Sequence, residues 1–330
     1  MNKTISHRKR LETVLSGIMP DRVPVALWRH FPVDDQHPAR LARATLAFQS
    51  EFDLDFVKVS PASSFCLKDW GVVSEWRGNP KGTRDYMKRV IHKPEDWLSL
   101  KELDPYNCEL GAQLECLKIL QKSLPSDTPF IQTIFNPLSQ AKNLIHPDLL
   151  RVHIRQYPDA VLVGLNTILR STLNFVEAVK KTGISGIFLA VQHANHHYLT
   201  ESEYRQFGTA LDIPILELVQ DLWLNMLHIH GSHIMFEQLA TYPVQIINWH
   251  DQQTEPSLAT AQKIFPGVVC GGLRQIDSLV LGTPEMIRKE GLLAIEHTQG
   301  TRFILGTGCV VPIIAPYGNL KAAIESVNEV

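Results

Sequence analysis

Eight times along this chain a short apolar run of strand length gives way to a stretch with helical periodicity. That alternation limits its possible folds more than any other feature. The runs occupy residues 23–27, 55–59, 129–135, 186–191, 225–230, 244–247, 268–272 and 302–305. Strands that alternate with helices build parallel βαβ units. Eight such units close into a (β/α)8 TIM barrel, a fold that 330 residues accommodate as one domain over 1–330. An N-terminal helix is predicted at 6–16, and an insertion at 62–126 follows the second strand. The insertion reads as an extended pair around Val73 and Tyr86, then helices from near Pro94 and Tyr106; a segment this long is expected to be a lid or a partner surface. Thr200 with Glu203 forms a capping box, and a further helix is predicted from Pro214 to Leu224. The unusual residues fall at C-terminal strand ends: Trp28, Arg29 and His30, then Ser60, Asn136, Gln192, His193, His228 and His230, then residues 248–251, Arg274 and Cys309. That rim is where a barrel builds its active site. An open doubly wound sheet would gather such residues around one switch point instead.

Composition narrows the function. With 32 Lys and Arg against 34 Asp and Glu, the formal charge is −2, which argues against nucleic acid and against a polybasic membrane surface. No apolar run approaches the roughly 20 residues a spanning helix needs, and the basic opening stretch 1–10 is followed by no signal-peptide core. Five cysteines, an odd number without a Cys-x-x-Cys pair, read as reduced thiols in a cytoplasmic protein.

Side chains alternate faces along a strand, so Met226, His228 and His230 share one face while Leu227 and Ile229 take the other. Two imidazoles converging at a strand end can hold a divalent metal, or can hydrogen-bond within the barrel mouth. In Asn248-Trp249-His250-Asp251 the chain is leaving its strand. His250 is a candidate to donate or accept a proton, and Asp251 to orient an imidazole or to cap the loop. Arg29 is the third candidate catalytic group. Trp28, His30, Lys58, Asn136, Gln192, Asn248, Trp249 and Arg274 are candidates to contact a small-molecule substrate, the two tryptophans as flat walls and Lys58 as a charge awaiting an anion or a rim acid such as Asp55. His193, His196 and His197 are expected to be solvated, and Gly271-Gly272 lacks the spacing of a nucleotide-binding loop.

Five stretches carry a resemblance over nearly the whole chain: Asp21-Arg22-Val23-Pro24-Val25, Asp55-Phe56-Val57-Lys58, Leu227-His228-Ile229-His230-Gly231, Leu281-Gly282-Thr283-Pro284-Glu285, and residues 304–319 with their Leu-Gly-x-Gly-Cys. They are similar to the uroporphyrinogen decarboxylase superfamily, and closest in motif to its zinc-dependent methyltransferases acting on corrinoids and thiols. The resemblance implies a methyltransferase-like enzyme. It implies zinc held by His228, the residue at position 230 and Cys309, with a corrinoid as substrate or on a partner protein. Position 230 is His where those enzymes carry Cys, so one thiolate stands where the pattern has two. The parent decarboxylases have two arginines four apart after the first strand, but here Arg29 is followed by Val33; their acid after the second strand has no counterpart in residues 60–67. Metal-free decarboxylation is therefore the second reading, and a non-catalytic binding barrel the third.

Overall fold

The computed structural model describes residues 5–328; the first four residues of the basic opening stretch lie outside them. Eight parallel strands form one sheet: β1 (Val25–Ala26), β2 (Val57–Val59), β5 (Phe130–Phe135), β6 (Gly186–Val191), β7 (Met226–Ile229), β8 (Ile246–Trp249), β9 (Val268–Leu273) and β10 (Phe303–Thr307). They run β1-β10-β9-β8-β7-β6-β5-β2, and helices cover the outside, as a (β/α)8 barrel requires. β3 (Val73–Glu75) and β4 (Asp85–Lys88) form a separate antiparallel hairpin.

Strand alternation sorts the core into two layers. Ala26, Phe56, Ile131, Phe188, Ala190, Met226, Ile246, Val268, Cys270 and Ile304 pack inside the barrel. Their neighbours, such as Val57, Ile187, Leu227, Ile247 and Leu305, pack outward against the helices. The helix His7–Leu15 is capped by Ser6 and lays Leu11 and Val14 against the inner layer.

β1 and β2 share no ladder, and one residue clips that seam. The Asp55 main chain donates to the Val25 carbonyl at 3.0 Å, while its carboxylate accepts from the Val25 N–H at 2.7 Å. The same carboxylate receives Arg10 and Arg22 at 2.7 Å each and His7 at 3.0 Å. Burial acts to raise the Asp55 pKa, but the His7 hydrogen bond and the two guanidiniums overcome it and hold it at about 2. Asp55 is thus a structural anion at the start of β2 and forms no pair with Lys58.

Three expectations are corrected. The segment 62–126 is not all insertion, because the helix Cys108–Ser123 within it is the crossover from β2 to β5 that the parallel pairing demands. Pro214 does not open its helix; it sits inside Ala210–Leu218, just after a π-helical turn at Arg205–Thr209 that carries the chain on from Tyr204. His193 is buried and stacks on Tyr198 at 5.2 Å, because the loop after β6 folds inward.

Candidate metal centre at the barrel mouth

β7 delivers His228 and, one residue beyond its end, His230; β8 delivers Asn248 and then His250; β10 ends just before Cys309. The ligand atoms of His228, His230, His250 and Cys309 lie within 4.8 Å of one another. His230 Nδ1 is 3.2 Å from His250 Nε2 and 3.9 Å from Cys309 Sγ. Bonds of about 2.0–2.3 Å in a tetrahedral zinc site place neighbouring donors about 3.3–3.7 Å apart, so this donor set fits such an ion.

The surroundings make three imidazoles and one thiol available. Nδ1 of His228 meets Oδ1 of Asn248 at 2.7 Å, while the Asn248 amide donates to the carbonyls of Cys270 at 2.8 Å and Thr307 at 3.0 Å. With the amide nitrogen so committed, the oxygen faces the ring and His228 must carry its proton on Nδ1. Nε2 is then left with a free lone pair, the arrangement that an orienting partner gives to metal-bound histidines. Phe188 stacks on the same ring at 5.2 Å. Burial, then the mutual influence of the three rings, holds His228 well below its ordinary value. Burial first, with nearby charges second, brings His230 to about 3 and His250 to about 4. Neutral imidazole is the form that binds metals. Burial pushes the Cys309 thiol up, against the Val310 N–H and the charges of Lys81 and Lys58.

Glycine makes the convergence of β8 and β10 possible. A Cβ on Gly308 would stand 2.7 Å from His250 Cα and 2.8 Å from the Trp249 carbonyl oxygen; one on Gly306 would stand 2.8 Å from the Ala26 carbonyl. The Gly-x-Gly-Cys stretch therefore closes the barrel around its own cysteine.

A cavity of about 610 Å³ opens beside the cluster, lined among others by Trp28, His30, Lys58, Thr133, Phe188, Gln192, His228, His230 and Cys309. Trp28, His30, Lys58 and Gln192 thus line the mouth. Asn248 orients His228 rather than facing substrate. Arg29 does not line the cavity; it turns the other way from Trp28 and His30 and lies over Phe31 at 5.6 Å. Trp249, next to the inward Asn248, faces the helices, packs on Phe236 and donates to the Pro256 carbonyl at 3.0 Å. Arg274 pairs with Glu290 at 2.7 Å outside the cavity. Asn136 is fully buried, caps Ser139 and donates to Asp212. Asp251 receives the Gly272 N–H at 3.0 Å, and burial raises it to about 7; it supports the bend of β9, where Gly272 has φ +107°. Lys81 and Thr83, from the β3–β4 loop, also line the cavity and carry no sequence signal. Phe188 and Thr133 are legible by alternation on β6 and β5. No helix among the described residues is long and apolar enough to cross a membrane.

A parallel eight-stranded barrel whose mouth gathers three imidazoles and a thiol belongs with the barrel enzymes that build their chemistry on the C-terminal rim. The uroporphyrinogen decarboxylase (URO-D) family model matches residues 6–330, and the chain belongs to that family. It is 21% identical over 253 residues to the methylcobamide:CoM methyltransferase MtbA of Methanosarcina acetivorans, covering 75% of this chain and 72% of that one. Its fold is similar to that of a methyltransferase from Methanosarcina mazei, with TM-score 0.86, 17% identity, and 98% and 99% of the two chains covered. A more distant likeness is to a B12-independent methionine synthase from Shewanella sp. W3-18-1, with TM-score 0.54, 13% identity, and 88% and 87% coverage.

Proposed function

We propose that the protein is a methyltransferase that moves a methyl group from a corrinoid to a small thiol beside a zinc ion held by His228, His230 and Cys309. The observation that carries this reading is the donor cluster, with the His228 tautomer set by Asn248. The name of the Methanosarcina acetivorans relative supports corrinoid and thiol as the reacting pair. Bound there, zinc would lower the pKa of a thiol presented to it, so that the sulfur reacts as thiolate at neutral pH.

The chain's own residues do the rest. Nε2 of His250 lies close enough to complete the donor set, or to stand as the base next to a thiol sulfur placed there. Burial holds His250 below the ordinary imidazole range, so the ring is neutral at neutral pH and able to accept a proton. Trp28 and Phe188 wall the acceptor, and His230 and Cys309 keep the edge of the cluster open to solvent. The sulfur–carbon bond forms as the cobalt–carbon bond breaks, the electron pair remaining on cobalt. The narrow, largely apolar lining of this cavity suits a small acceptor. The corrin therefore lies across the rim, on a partner protein or free, and the β3–β4 hairpin is the surface it would meet.

Metal-free decarboxylation is the less favoured reading, because the paired arginines that would clamp a polyacid are absent from the cavity lining. Elemental analysis of protein purified from zinc-replete cultures should find close to one zinc per chain, and Cys309→Ala should lose most of it. Protein that stays metal-free under those conditions would end the zinc reading. Loss of the methyl–cobalt absorbance on adding thiol tests the transfer; a zinc-loaded protein that leaves it unchanged would end the methyltransferase reading.

A further inference from the structure

Asp212 stands apart from the donor cluster and from the cavity lining. It is fully buried, and its carboxylate accepts from three neutral donors: the Tyr204 hydroxyl at 2.7 Å, the Tyr242 hydroxyl at 2.9 Å and the Asn136 amide at 2.8 Å. The two tyrosines are the only titratable groups that face it among the described residues, and no charged side chain acts on it. An ionised carboxylate so placed is costly unless hydrogen-bonded, and separate elements supply those bonds.

A local departure from helical geometry assembles the group. Tyr204 ends the helix Glu201–Tyr204 and Asp212 lies in the helix Ala210–Leu218, with the π turn Arg205–Thr209 between them. Eight ordinary helical steps would set the two side chains about 80° apart around the axis; the extra residue that a π turn absorbs reduces this to about 20°. Gly208 completes the arrangement, because a Cβ there would stand 2.5 Å from Tyr204 Cζ. The ring lies along the turn, with its hydroxyl on Asp212.

From Asp212 a line of hydrogen bonds runs to the mouth. With its amide nitrogen on Asp212, Asn136 turns its oxygen to the Ser139 N–H at 3.0 Å and so caps the helix Pro137–Leu144. Ser139 Oγ donates to the Ala190 carbonyl at 3.3 Å and accepts from the Gln192 N–H at 2.9 Å. Ala190 and Gln192 both line the cavity, and Ala190 pairs in register with His228. The Gln192 side-chain amide is half-buried, has no hydrogen-bond partner among the described residues, and is free to meet a ligand.

We propose that Asp212 is a positioning residue: acting through Asn136 and Ser139, it fixes where the Gln192 amide stands in the mouth, and Gln192 contacts the methyl acceptor there. The contact with the acceptor rests on the methyltransferase reading; the coupling of Asp212 to Gln192 does not. Burial raises the Asp212 carboxyl to about 6, against the pull of its three hydrogen bonds. Protonation has to reverse one of those donors. Asn136 cannot turn to accept, since its oxygen is held by Ser139, so a tyrosine hydroxyl rotates and Asn136 is left on a neutral acid. Its hydrogen bond to the anion is roughly twice as strong. Gln192 is therefore held firmly above about pH 6 and loosely below it.

Protein grown on isotope-labelled glutamine tests the coupling by NMR, the Gln192 main-chain signal being assigned by its loss in Gln192→Ala. In the wild type this signal should move with a midpoint near pH 6, and in Asp212→Asn it should stay at its low-pH position throughout. Tyr242→Phe takes one donor from the anion, so it should shift the midpoint upward, and it carries the test if Asp212→Asn fails to fold. At neutral pH, Asp212→Asn and Gln192→Ala should each raise the KM for the thiol about fivefold with kcat unchanged. The double variant should show no further rise, whereas a merely structural role would give additive effects. A Gln192 signal indifferent to both substitutions, unchanged KM in the single variants, or additive effects in the double variant would each overturn the proposal. A wild type without turnover whose Gln192 signal still titrates would end the methyltransferase reading and leave the coupling standing.

Discussion

The side-chain amide of Asn248 spends both its protons on main-chain carbonyls, and its oxygen then decides which nitrogen of His228 is free. Asn248→Ala should therefore leave all four donor residues in place yet weaken zinc binding about 10–100-fold, the usual loss when an orienting partner is removed. Competition with a chromophoric chelator measures it; wild-type affinity in a folded variant would show that the tautomer does not matter. At this scale alternation was the legible signal. It places His228 beside Met226 on the inner face, and it would also have turned Trp249 away from Asn248, because adjacent strand residues cannot share a face. His250 and Cys309 lie past their strand ends, where that period no longer applies, so their meeting could not be read from spacing.

β10 and the β3–β4 hairpin show what whole elements contribute. A methyl group added at Gly308 would run into backbone atoms of β8, which cannot rotate away, so the two strands would have to part. Gly308→Ala should cost about 1–3 kcal/mol of stability, by the usual penalty for overpacking, and should lower zinc affinity as Cys309 moves off the imidazoles. Thermal melts and chelator competition on the same sample check both effects; an unchanged affinity would mean that Cys309 reaches the cluster without this close approach. The hairpin was legible as an extended pair, but its loop was not legible as a wall of the mouth. Nothing local to Lys81 says that Gly82 will rest on His30. The helix Cys108–Ser123 was legible as a helix from near Tyr106 but not as the crossover, for a related reason: it stands far from β2 in sequence, and only the β2–β5 pairing gives it that role.

Across the molecule, closure depends on the seam between β1 and β2, which Asp55 clips without a ladder. Asp55→Asn keeps the shape but leaves buried Arg10 and its neighbour Arg22 without their shared counter-charge, and should destabilise the protein by about 3–5 kcal/mol. Denaturant unfolding reads this directly, and a change below about 1 kcal/mol would remove Asp55 from the account of closure. The pH dependence follows from the sign of its shift. The folded pKa, about 2, lies below the unfolded value, so this stabilisation is present above about pH 4 and is lost as pH falls towards 2. It amounts to about 2 kcal/mol, and acid unfolding of Asp55→Asn should lack that part of the slope.

The order of strands and helices, the inward set of side chains and the rim position of nearly every chemically unusual residue were already present in the chain, because periods of 2 and 3.6 are local consequences of backbone geometry. The choice of fourth donor, the proton on His228, the withdrawal of Arg29 and Arg274 from the mouth, and the arrival of Lys81 were not. Each depends on contacts between segments far apart in sequence, set by how closely β8 and β10 approach and by where the hairpin loop comes to rest. Neither distance exists until the barrel has closed.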